Sequence, residues 1–150
     1  MPTRKQVQEV ARQYADTPFG HQGRVKGRAL DCVGLVLCVS EDLGIVDREG
    51  NALCRDTYNT YGPQPASTFV LDSCRKHLIE KDWANVKPGD VLCLRIPTDP
   101  THTAIVTERA GVLYMLHAYD GGLKRCVEHI IDTAWRRRVV SVFEFPGIED

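Results

Sequence analysis

The sequence predicts an α+β fold in one domain spanning residues 1–150. Three observations predict it. Apolar residues recur at helical spacing in the first half of the chain, up to about residue 81. From Val91 onward the pattern turns extended, in short runs parted by turn residues. The 150 residues, 43% hydrophobic and 26% charged, are enough for one real core and too few for two. Helices first and strands afterwards, in one small chain, is the α+β arrangement. No internal repeat, low-complexity tract or domain linker interrupts it.

Each element has its own signal. Thr3 followed by Gln6 is a capping-box pattern, and Val7, Val10, Ala11 and Tyr14 then form one apolar stripe. Pro18 stops this first helix by about Asp16. "TPFGHQGRVKG", with three glycines and a proline, reads as a loop. A second helix starts at Asp31 or Cys32, because Asp31 can accept the exposed N–H groups of a first turn. Val33, Leu35, Val36, Leu37 and Val39 surround it on most sides, which predicts a buried helix, and Gly44 suits its end. Residues 45–65 read as irregular. A third helix is expected from about Ser67 to Lys81, with Val70, Leu71, Cys74 and Leu78 facing inward. "KPGD" at 87–90 is a turn. Five strands follow, at 91–96, 102–108, 112–118, 123–130 and 138–145, and the short connections between the first four favour antiparallel pairing.

Composition excludes several classes. A net charge of -1 steers the molecule toward neither nucleic acid nor an anionic membrane. Arg136, Arg137 and Arg138 read as a solvated edge before a strand. "MPTRKQVQEV" has no apolar core, so no secretory signal is expected and synthesis in the cytoplasm is. No apolar run is long enough to span a membrane. The six cysteines, at 32, 38, 54, 74, 93 and 126, are then expected as free thiols. No C-x-x-C and no H-x-x-x-H occurs, so neither a metal set nor a cofactor is expected.

One constellation carries chemistry. Cys32 falls at the first turn of a buried helix, where partial positive charge and unpaired N–H groups favour the thiolate. A thiol nucleophile needs a general base and a group to orient that base. His102 opens a strand and His117 lies near the end of the next. A hairpin around Gly111 would put the two almost opposite each other. Of the other histidines, His21 precedes Cys32 in the loop and could line the site. His77 reads as a surface residue beside Lys76, and His129 as a strand end without a role.

These residues resemble the NlpC-type cell-wall peptidases, a papain-like cysteine peptidase family. The resemblance lies in "DCVGLV" at 31–36, "KPGDVLCL" at 87–94, "HTAIV" at 102–106 and "LHAY" at 116–119, in that order, over about residues 5–120. "TPFGHQGR" before the cysteine further resembles the branch encoded by tailed phages, prophages and gene transfer particles. The resemblance implies N-terminal helices packed on a central antiparallel sheet of about five strands. It implies Cys32 as nucleophile, His102 as general base and His117 as orienting residue. It also implies hydrolysis of amide bonds in peptidoglycan stem peptides, commonly between D-γ-glutamyl and diaminopimelate residues, with no cofactor. Phage-tail proteins are implied partners, and the virion tail or the cell wall the place of action. Phe19 stands where many members have a tyrosine facing the site, and Val33 stands where serine follows the cysteine. His21 or Gln22 could replace the tyrosine's polar contact. Asp31 either caps the helix or also meets a substrate amine.

Two other classes compete with the peptidase reading. One is a structural or assembly component of a phage tail. The other is a papain-like amidase or acyltransferase acting on a different substrate. Residues 45–65, with Tyr58 and Tyr61, could wall a substrate groove.

Overall fold

The first helix, α1 (Arg4–Arg12), opens on the expected capping box. Thr3 Oγ1 accepts the Gln6 N–H at 3.2 Å, and Gln6 Oε1 accepts the Thr3 N–H at 2.8 Å. The structure is a computed structural model and describes residues 1–53 and 68–150. Within the stretch expected as loop lies a small antiparallel hairpin, β1 (Arg24–Val25) and β2 (Ala29–Leu30). Helix α2 (Cys32–Asp42) follows, capped by Asp31 and buried from Gly34 to Ser40. Gly44, at φ +67°, takes the left-handed conformation that ends a helix.

Helix α3 (Phe69–His77) is shorter than the periodicity predicts. Leu78 turns extended, and Ile79–Lys81 forms a strand, β3, instead of a last helical turn. Three part-exposed edge residues have no burial pattern to advertise a strand. The start expected at Ser67, like Cys54, Tyr58 and Tyr61, lies outside the described residues. β4 (Val91–Leu94), β5 (His102–Arg109), β6 (Val112–Tyr119) and β7 (Arg125–Ile130) occupy the expected places. The chain closes with a short helix, α4 (Thr133–Arg138), and β8 (Val139–Glu144).

Among the described residues the main sheet therefore has six strands rather than five, all antiparallel, in the order β3-β8-β4-β5-β6-β7. Its two faces alternate along each strand. Val91, Cys93, Ile105 and Leu116 pack with Leu35 and Val39 of α2. Leu92, Leu94, Ala104, Val106 and Met115 form a second cluster on the opposite face, bordered by Trp83 and Trp135. The three consecutive arginines are not a plain solvated edge. They end α4, with Arg136 lying 4.1 Å over the Trp83 ring and Arg138 4.8 Å over Trp135.

The "KPGD" turn has a structural purpose. Asp90 is fully buried and accepts from Arg4 Nη1 at 2.7 Å, Lys81 Nζ at 2.7 Å and the Lys87 N–H at 2.8 Å. Arg4 also pairs with Glu144 and Asp150. One charge network thus ties α1 to the turn, to the edge strand β3 and its neighbour β8, and to the last residue. His77 is not a surface residue. It is buried at the end of α3, with Nδ1 3.1 Å from Asp47 Oδ2. Its helix faces the core on that side, which the flanking Lys76 conceals. The five described cysteines are free thiols.

Candidate active site

The site is built where the start of α2 meets the start of β5. Asp31 shapes the first of these. Its Oδ1 accepts the Gly34 N–H at 2.6 Å, and its Oδ2 accepts the Gln22 N–H at 2.8 Å. One carboxylate therefore caps α2 and pins the preceding loop to it. Gly34 completes the junction, because a Cβ there would stand 2.1 Å from the Gly23 carbonyl oxygen. Only glycine lets the loop lie this close to the first turn.

Cys32 is then held against β5 by the residues on either side of His102. Its Sγ lies 3.9 Å from the Thr101 carbonyl oxygen, and the Thr103 hydroxyl donates to the Cys32 carbonyl at 2.9 Å. His102 is buried at 6% exposure, and its Nε2 lies 2.6 Å from Nδ1 of the fully buried His117. The hairpin that joins them turns at Ala110 and Gly111, both with positive φ, and pairs Ile105 with Leu116. The two rings consequently meet on a diagonal rather than directly across.

A third imidazole continues the line. His117 Nε2 lies 2.8 Å from Nε2 of His129, whose Nδ1 lies 2.9 Å from the Ile130 carbonyl oxygen. Tyr119 stacks on His117, with ring centroids 5.4 Å apart and planes at 19°. Trp135 presents an edge to His117 and tilts against His129, each at 5.1 Å. Gly121 leaves room for the Tyr119 ring, since a Cβ there would lie 2.5 Å from Tyr119 Cζ. The aromatic wall and His129 are what the sequence does not announce. Their signal is the β6–β7 register, which sets His129 opposite Met115 and on the face of His117.

Electrostatics at rest favour neutral partners. Burial pushes the Cys32 thiol up to about 11, and the Asp31 carboxylate adds to the rise. The N–H and hydroxyl of Thr103 and the Val33 N–H act the other way but do not prevail. The helix start therefore does not make a standing thiolate, contrary to what position alone suggests, because desolvation outweighs it. Burial, then the charges of Arg138 and His129, lowers His102 to about 3. Burial, then His102 and His129, lowers His117 to about 2. The thiol at the start of α2 and the two imidazoles at the start of β5 and the end of β6 are thus all held toward their neutral forms.

The loop residues divide. Phe19 is half-buried against the core cluster. Gln22 sits at φ +56° with its N–H given to Asp31, and His21 is exposed. Asp31 itself is only 4% exposed.

Solved structures share this architecture. One is the NlpC/p60 domain of the peptidoglycan hydrolase SagA, with TM-score 0.61 at 15% identity over 95% of this chain and 99% of that one. Another is a Bacillus cereus ATCC 10987 protein of the NlpC/P60 family, with TM-score 0.65 at 13% identity over 96% of this chain and 40% of that one. A third is a Staphylococcus aureus Mu50 protein described as similar to lipoprotein, NLP/P60 family. Its TM-score is 0.61 at 17% identity, over 98% of this chain and 42% of that one. The chain thus spans less than half the length of two of these proteins and nearly all of the SagA domain. No family model and no curated protein matches the sequence. The likeness shows the fold, which is the mixed α+β, papain-like fold of NlpC/P60 domains.

Proposed function

We propose that the chain is a cysteine peptidase of the NlpC/P60 type that hydrolyses amide bonds in peptidoglycan stem peptides. The observation that carries this reading is the junction of α2 and β5. Cys32 is clasped by Thr101 and Thr103 while the intervening His102 bonds to His117 at 2.6 Å. The fold shared with the SagA hydrolase domain supports the substrate class. The bond between D-γ-glutamyl and diaminopimelate residues is the proposed point of cleavage, and a phage tail the proposed setting.

In this mechanism the Sγ–H proton passes to His102 as sulfur bonds to the substrate carbonyl carbon. The π electrons move onto oxygen, where N–H donors near Cys32 hold the charge. His102 then gives its proton to the leaving amine as the C–N bond breaks. Water, deprotonated by His102, releases the acyl group and restores the thiol. His117 holds the His102 ring throughout. Digestion of diaminopimelate-type peptidoglycan fragments, read by mass spectrometry, tests the proposal. A stem-peptide product absent with Cys32→Ala is expected. No product from the intact chain would overturn the substrate assignment.

A further inference from the structure

We propose that His129 is a positioning residue that sets the tautomer of the whole imidazole line and so leaves the lone pair of His102 on Nδ1. Three hydrogen bonds in a row fix where the ring protons sit. A backbone carbonyl only accepts, so the 2.9 Å contact to Ile130 requires a proton on His129 Nδ1. With one ring proton, His129 then has a lone pair at Nε2. The 2.8 Å contact requires His117 to donate from its Nε2. His117 is neutral in its buried place, so its Nδ1 has the lone pair. The 2.6 Å contact therefore requires His102 to donate from Nε2. Every assignment is forced once the first is made, and the last leaves His102 Nδ1 as an acceptor. That is the nitrogen from which the proposed mechanism needs His102 to take the thiol proton.

With His102 and His117 neutral, one other arrangement satisfies all three contacts. If His129 carries protons on both nitrogens, the two imidazole–imidazole bonds reverse while the bond to Ile130 stays. His102 then holds its proton on Nδ1 and cannot act as a base. The identity of residue 129 thus decides whether His102 works, although His129 sits two strands from β5. Trp135 and Tyr119 pack the rings edge-on and face-on, which keeps their planes from turning out of line.

The kinetic part of this inference rests on the peptidase reading, whereas the tautomer part needs no substrate. The test is long-range proton–nitrogen NMR of the 15N-labelled chain at neutral pH, with His129→Phe and His129→Gln beside it. Protonated Nε2 on His102 and His117 and protonated Nδ1 on His129 are expected. In His129→Phe, which keeps a ring but no acceptor, His117 should become a tautomer mixture. The tautomer ratio should shift about tenfold, the factor that an ordinary hydrogen bond imposes on it, and the rate of Cys32 alkylation at pH 7, which follows the competent fraction, should fall about twofold. His129→Gln offers an oxygen acceptor to His117 and should recover most of the rate. A proton on His102 Nδ1 in the intact chain would overturn the inference, as would an unchanged His117 in a folded His129→Phe. If His129→Phe does not fold, the intact chain's spectrum alone decides. Correct tautomers without stem-peptide cleavage would leave this inference standing and reject the substrate assignment.

Discussion

Cys32 shows how two local effects compete at one residue. The start of α2 offers it the Val33 N–H, and β5 offers Thr103, but burial and Asp31 win and raise the thiol to about 11. Its alkylation rate should therefore climb through pH 8–10 rather than level off in mild acid. Cys32 should still react before Cys93 and Cys126, which burial pushes to about 12 and which are shut in the core. Peptide mapping after timed iodoacetamide treatment checks both points, and complete labelling of Cys32 at pH 5 would reject them. In the proposed mechanism the two histidines do different things. His102→Ala would remove the proton acceptor and should lower turnover about 10²–10⁴-fold, whereas His117→Ala would remove only orientation and should lower it less. Turnover of a cleaved stem peptide by the two variants checks the order.

At the scale of elements, the junction of loop and helix governs the site. Asp31→Ala deletes the cap of α2 and also releases the Gln22 N–H. A cap alone is worth about 1–2 kcal/mol, so chemical denaturation should show a loss of at least that size. Gly34→Ala sets a methyl group against the Gly23 carbonyl and should push the loop off the first turn. Its unfolding midpoint should fall, and the reactivity of Cys32 should change with it. An alanine at Gly27, where nothing stands within 4 Å of a Cβ, serves as comparison, its penalty coming only from positive φ. The third helix carries a different lesson. Val70, Cys74 and Leu78 keep helical spacing past the point where the helix stops, because Leu78 is buried from an extended backbone. Spacing reports which residues face inward, not which backbone delivers them.

For the whole molecule, the buried imidazoles couple stability to pH. His102 and His117 titrate near 3 and 2 in the folded chain and near 6.5 when unfolded. Between those values the unfolded state binds more protons, so stability rises with pH in that window and is lost as pH falls below about 6.5. Each imidazole contributes up to about 1.4 kcal/mol per pH unit there. Thermal unfolding from pH 7 to pH 4 should show the decline. His117→Asn should flatten it, and an unchanged slope would mean that carboxylates held low in the fold, such as Glu128, dominate. The charge network around Arg4 and Asp90 joins the two chain ends to β3 and β8, so unfolding should be a single transition.

The amino-acid order by itself determined the capping box of α1, the Asp31 cap of α2, the turn at Gly111 and the four strands from β4 to β7. Each depends on neighbours within a few residues, and short-range hydrogen bonds and period-two or period-3.6 burial leave a readable trace. It also brought Cys32, His102 and His117 into one candidate set, since a helix start and one hairpin suffice to place them. What only the tertiary structure decided lies across longer separations. β3 exists because β8 pairs with it from the far end of the chain. His77 is buried because Asp47 meets it. The thiol is pushed up because α2 and Asp31 are set against β5, and His129 joins the line because β7 pairs with β6 in one particular register. Strand register and the contacts made across long separations are properties of the assembled sheet, and no local pattern of residues encodes them.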